Sequence, residues 1–212
     1  MNSPSAPAHR RMPARLVVLI SGSGTNLQAL LDAARSDQYP AKVVAVGADR
    51  RDAAGLIRAE KVGIPTFVVE PGDFADRAAW DAELAVEIQR FDADWVVSAG
   101  FMRILGPAVL SQHPHRIVNT HPALLPSFPG AHAVRDALAY GVTVTGCTVH
   151  LVDDGVDTGP VLAQQVVMVE QSDTEEVLHE RIKAVERDLL VGVMQQLCSH
   201  DVEVIGREVV IS

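Results

Sequence analysis

The segment Arg15 to Ile20, RLVVLI, is an almost unbroken apolar run that stops at SGSGTN, Ser21 to Asn26. A strand that is apolar on both faces needs cover on both faces, and parallel strands flanked by helices supply it. The same unit recurs. Lys42 to Ala48 (KVVAVGA), Thr66 to Val69, Asp94 to Ser98 (DWVVS) and Arg116 to Asn119 read as further strands. Thr25 to Arg35, Asp52 to Lys61 and Phe74 to Phe91 read as the helices between them. In the last of these, Trp80, Leu84, Ile88 and Phe91 make one apolar stripe. This alternation predicts an α/β fold with a doubly wound, mostly parallel sheet.

The rhythm changes after Gly130. Val142 to Val152 and Pro160 to Val169 are rich in Val, with Thr in the first, and have little helix between them, which predicts a mixed or antiparallel extension of the sheet. SDTE, Ser172 to Glu175, has the capping-box pattern and opens a helix to about Leu197, with Leu178, Ile182, Val185, Leu189, Val193 and Leu197 as its stripe. The end, VEVIGREVVI, predicts a small hairpin turning near Gly206. One domain therefore spans 15–212, with two lobes, about 15–115 and about 116–212. Residues 1–14 read as a disordered tail, with Pro, Ser and Arg but no apolar core of a secretory signal.

Charge narrows the partners. Asp and Glu number 27 against 18 Lys and Arg, a net charge of −9, which argues against nucleic acid, since phosphate-backbone binding needs a basic face. No apolar run approaches the ~20 residues that cross a bilayer, so no membrane partner is expected. Cys147 and Cys198 are the only cysteines, too few for a disulfide framework or a zinc site, and a reducing cytoplasm fits them.

Gly22 and Gly24 follow the first strand directly. Glycine lets the backbone come close to a ligand, and the helix behind it presents free N–H groups and the positive end of its dipole. A phosphate would suit that place; a tight turn with no ligand suits the spacing equally well. The full dinucleotide fingerprint is broken, because Leu27 stands where its third glycine belongs, which favours a mononucleotide or sugar phosphate.

RIVNTHPALLPSFPG, Arg116 to Gly130, starts as a strand and then meets three prolines. Side chains alternate along a strand, so Asn119 and His121 face one way, at the carboxyl end where open α/β sheets bind ligands. An amide donor beside an imidazole is what an oxyanion forming at a carbonyl carbon needs. A capped strand end with a surface histidine is the competing reading. A protonated histidine needs a carboxylate, and VDDGVDTGP (Val152 to Pro160) offers Asp153, Asp154 and Asp157 in a loop between two strands. It lacks the closing glutamate of a calcium loop.

Taken in order, SGSGTNLQALL, SAGFMRIL, NTHPALLPSFPG and GCTVHLVDDGVDTGPVL resemble the phosphoribosylglycinamide formyltransferase family, from about Leu16 to about Leu197. The resemblance implies a Rossmann-like formyltransferase fold and transfer of a formyl group from 10-formyltetrahydrofolate, the co-substrate, to the amine of phosphoribosylglycinamide in purine biosynthesis. It implies a catalytic trio of Asn119, His121 and Asp157, with the first two stabilising a tetrahedral intermediate and Asp157 assisting proton transfer. Gly22, Ser23, Gly24, Thr25, Asn26 and Glu186 would meet the ribonucleotide. Arg77, Met102, Arg103, Ile104, Leu105, Asn119, Asp153 and Asp154 would meet the folate. No metal is implied, and a homodimer is one option for assembly. Arg103 within an apolar run also demands a carboxylate or phosphate on general grounds. A formylfolate hydrolase on the same scaffold is the nearest rival. A binding module using only the glycine loop would leave the trio unexplained, and a nicotinamide-dependent oxidoreductase would lack its ribose-reading acid.

Overall fold

The computed structural model describes residues 12–212. In chain order the elements are β1 (Ala14–Ile20), α1 (Thr25–Ala33), β2 (Ala41–Ala48), α2 (Leu56–Glu60), β3 (Thr66–Val68), α3 (Arg77–Gln89), β4 (Trp95–Ser98), α4 (Pro107–Gln112), β5 (Ile117–His121), α5 (Ala133–Tyr140), β6 (Val144–Leu151), β7 (Val161–Met168), α6 (Glu175–Ser199), β8 (Val202–Ile205) and β9 (Glu208–Ile211). The tail read over 1–14 lies outside the described residues as far as residue 11. Ala14 is already strand, its N–H meeting the Pro40 carbonyl at 2.8 Å.

The main sheet is ordered β3-β2-β1-β4-β5-β6-β7. Its first five strands are parallel, and β6 and β7 add on antiparallel. This is the doubly wound sheet with the extension that the Val- and Thr-rich segments predict. β8 and β9 form a separate antiparallel hairpin. RLVVLI is apolar throughout because β1 is central and covered twice. Leu16, Val18 and Ile20 enter a core with α1 and α6, while Val17 and Leu19 enter a second core with α3 and α4.

Several boundaries move. β5 continues two residues past Asn119, because Asn119, Thr120 and His121 find partners in His150, Val149 and Thr148 of β6. α2 and α3 start later than the apolar pattern alone suggests; Asp76 caps α3 by accepting the Ala79 N–H at 2.8 Å. α6 is capped by Thr174, not Ser172: the Thr174 hydroxyl accepts the Val177 N–H at 3.3 Å, and the Asp173 carboxylate is held by Arg181 and the Glu170 N–H. Its buried face is Leu178, Ile182, Glu186, Leu190, Val193, Met194, Leu197 and Cys198, so Val185 and Leu189 flank the face instead of lying in it. The middle of that face is held by Glu186, a charged residue that a stripe drawn from apolar residues leaves out. α4 and α5 are absent from the sequence reading, as six and eight residues are too short to show a stripe. Their marks are local: Pro107 at the start of α4, and Gly141 at φ 82° just after α5.

Candidate active site

The chain leaves β1 toward β2 on one side, while β4 lies on the other. The carboxyl ends of β1 and β4 therefore flank the topological switch point, the crevice where such sheets take ligands. Two loops meet there. Ser21 N–H donates to the Gly100 carbonyl at 3.2 Å, and Met102 N–H donates to Ser21 Oγ at 2.8 Å. Gly24 precedes α1 at φ 68°, and a Cβ there would come within 2.8 Å of the Gly55 backbone. Glycine is thus needed for both conformation and space. α1 opens without a side-chain cap, so its first N–H groups form the wall of the loop.

Asn26 points the other way. It is buried, and its Nδ2 donates to Glu186 Oε1 at 2.6 Å, an oxygen that also accepts the Thr120 hydroxyl at 2.6 Å. Asn26 Oδ1 has no hydrogen-bond partner among the described residues. The side chain ties the glycine loop to α6 and β5. Glu186 is 6% exposed and pairs with no cation among the described residues. A carboxylate so placed attracts an amine or hydroxyls.

On the opposite face of β5, Asn119 and His121 do face one way, and a residue unassigned by the sequence reading joins them. His150 of β6 pairs directly with Asn119, and its Nε2 lies 3.2 Å from Asn119 Nδ2. Its Nδ1 lies 2.8 Å from the Leu151 carbonyl, which can only accept, so that nitrogen carries the proton. The same logic assigns His121. Its Nε2 donates to the Phe128 carbonyl at 2.8 Å, while Nδ1 sits 3.3 Å from Asp157 Oδ2. Asp157 reaches both rings, with Oδ1 3.6 Å from His150 Nε2, and Oδ2 also accepts the Gly130 N–H at 2.8 Å. Burial pushes the Asp157 carboxyl up, but the hydrogen bonds from His150 and Gly130 and the charge of the two rings outweigh it and hold it below the usual carboxylate range. Its backbone is left-handed, φ 55°, a conformation that aspartate adopts more readily than most non-glycine residues. Cys147 lies buried in β6; burial, aided by the Glu186 charge, pushes its thiol up to about 12, which removes it as a nucleophile near neutral pH.

The formyl transferase family model matches residues 14–194. The chain belongs to the formyl transferase family. Among relatives of this formyl transferase, the phosphoribosylglycinamide formyltransferase of Mycobacterium tuberculosis H37Rv is 59% identical over 195 residues, 92% of this chain and 90% of that one. The enzyme of that name from Escherichia coli K12 is 44% identical over 81% of each chain. The glycinamide ribonucleotide transformylase 1 structure from Symbiobacterium toebii superposes with a TM-score of 0.92 at 42% identity, over 99% of both chains.

The remaining predicted residues of this formyl transferase divide. Met102 and Ile104 are 73% and 52% exposed beside the crevice, whereas Leu105 is buried in the core under α3. Arg103 finds the carboxylate its position demands, Asp49 at 2.7 Å. Arg77 donates to the Ile104 carbonyl and lies over the Trp80 ring. Asp153 is used within its own loop, accepting the Gly155 N–H at 3.1 Å and the Thr158 hydroxyl at 2.6 Å, and Asp154 is exposed. A cleft of about 460 Å³ lies beyond Arg103, but its Arg50 and Arg51 are already paired with Asp52 and with Glu70 and Asp73. No helix among the described residues is long and apolar enough to cross a membrane.

Proposed function

We infer that this chain transfers the formyl group of 10-formyltetrahydrofolate to the amine of phosphoribosylglycinamide. The observation that carries the reading is the convergence of Asn119, His121, His150 and Asp157 at the carboxyl end of β5, in a chain 59% identical to a phosphoribosylglycinamide formyltransferase. The glycine loop receives the phosphate through backbone N–H groups, and Glu186 draws the glycinamide portion. The crevice suits a folate, which has an apolar ring body and an anionic tail: Met102 and Ile104 offer exposed apolar surface, and Arg77, which among the described residues meets only the Ile104 carbonyl and the Trp80 ring, offers charge. When bound, the folate supplies the formyl carbon.

Asn119 presents its amide N–H groups to the oxygen that gains charge as the amine attacks. In this reading His121 reacts with both ring nitrogens as donors, Nδ1 toward Asp157 and Nε2 toward the substrate oxygen. The reacting oxygen takes the place of the Phe128 carbonyl at His121 Nε2. Asp157 then assists the proton on its way from the attacking amine to the leaving nitrogen, through an intervening water. Neither thiol enters the reaction.

Removing one oxyanion donor costs about 10²–10³ in turnover. Asn119→Ala and His121→Ala should each lower kcat by about that factor with KM values modestly changed. Near-normal turnover in either variant overturns the assignment. Loss of the formyl group only when the ribonucleotide is present supports transfer, and loss in its absence supports a formylfolate hydrolase.

A further inference from the structure

The C-terminal hairpin lies outside the crevice, yet it reaches the loop that carries Asp157. β8 and β9 pair with Ile205 opposite Glu208, which leaves Gly206 and Arg207 as a two-residue turn, with Gly206 at φ 62°. Glycine first in a two-residue turn matches the II′ geometry that fits the twist of the strands. Val202, Val204 and Val209 pack the hairpin against the larger core, where Leu162 and Ala163 of β7 also lie. The turn is therefore a tip on a fixed base. From that tip Arg207 Nη1 donates to the Thr158 carbonyl at 2.8 Å, and Nη2 to the Gly159 carbonyl at 3.4 Å. Those are the two carbonyls that follow Asp157 in the chain.

The loop itself needs such a tie. Asp157 holds a left-handed backbone at φ 55°. Inside the loop, Asp153 fastens Gly155 and Thr158, but that clamp leaves the carbonyl side open. A Cβ at Gly159 would lie 1.8 Å from the Leu151 carbonyl, so the chain passes tightly against β6 there and its direction matters. A guanidinium presents planar, forked donors, which can span two successive carbonyls; an ammonium is a single point charge.

We propose that Arg207 is a positioning residue for formyl transfer, holding the Thr158 and Gly159 carbonyls so that the Asp157 carboxylate meets His121, His150 and Gly130. This rests on the formyl-transfer reading for its kinetic consequence alone; the effect on loop order does not depend on it.

The test uses the full chain with Arg207→Met, which keeps the apolar stem and removes the donors, and Arg207→Lys. Hydrogen exchange at the amides of residues 155–159 is read beside Tm and the steady-state constants. In Arg207→Met those amides should exchange about tenfold faster, with Tm within a few degrees of the parent. The kcat should fall about tenfold and KM for 10-formyltetrahydrofolate should rise, while KM for the ribonucleotide stays constant. Arg207→Lys should recover part of both effects. Unchanged loop exchange in Arg207→Met overturns the tether. Faster exchange with unchanged kcat and KM overturns its role in catalysis. Equal loss of activity at fixed KM values, accounted for by a lowered Tm, reduces Arg207 to a stability residue and also overturns the proposal. Failure of the formyl-transfer reading itself would show in the parent chain, as no ribonucleotide-dependent loss of the formyl group.

Discussion

Asp157 meets the Gly130 N–H and the His121 and His150 rings in a half-buried place, and His150 is the one whose removal is most informative. His150 has its Nδ1 proton committed to the Leu151 carbonyl, so it meets Asp157 through Nε2, which donates when the ring carries both protons. In His150→Phe, the Asp157 carboxyl loses a hydrogen bond that lowers its pKa, so it should titrate at higher pH; carboxyl-carbon NMR reads this directly. The sign for stability follows. A carboxyl with a depressed folded pKa gives stability that is fully present above the ordinary Asp value of about 3.9 and is lost as pH falls through the folded value. Acid unfolding of His150→Phe should therefore begin at higher pH than that of the parent. An unmoved Asp157 titration would mean that burial and the Gly130 N–H decide the shift. Asn119, His121 and Asp157 were legible as residue types that suit an oxyanion. His150 was not, because a histidine inside GCTVHLV looks like any strand residue until the β5–β6 register sets it against Asn119.

Local signals wrote the strands and long helices well and their ends less well. The start of α6 is a contest among neighbouring polar groups. Ser172 and Thr174 both suit a cap, and Thr174 takes it, its hydroxyl accepting the Val177 N–H, while Asp173 is drawn to Arg181 and the Glu170 N–H. Thr174→Ala should cost about 1 kcal/mol of stability, while Ser172→Ala should cost almost nothing. Urea midpoints of the two variants separate these outcomes, and a reversed order would place the cap at Ser172. The buried face of the same helix explains how a glutamate reaches the crevice. Glu186 follows Ile182 by four residues and precedes Leu190 by four, so it shares the apolar face and emerges beneath the glycine loop.

α6 also binds the two halves of the molecule together. Leu190, Met194 and Leu197 share a core with Leu16, Val18 and Leu27 from β1 and α1. We therefore propose that the halves about 15–115 and 116–212 unfold as one unit. Both tryptophans, Trp80 and Trp95, lie in the first half, whereas Leu190 lies in the second. Leu190→Ala should cost about 2–5 kcal/mol and should shift the tryptophan-fluorescence and far-UV transitions by the same amount. Separate midpoints for the two probes would show that the halves unfold apart.

The sequence by itself determined the layered α/β plan, because runs such as RLVVLI can be satisfied only in a sheet covered on both faces. It also determined the glycine turn, the hairpin and the chemical types at the strand end. These are effects of neighbours in the chain: periodicity, propensity and turn chemistry. The tertiary structure alone decided the partnerships: Asn26 with Glu186 across 160 positions, His150 with Asn119 across 31, and Arg207 with the Asp157 loop across 49. Such pairs depend on strand register and on the order β3-β2-β1-β4-β5-β6-β7, which arise from packing the whole chain at once and leave no local mark on the residues they join.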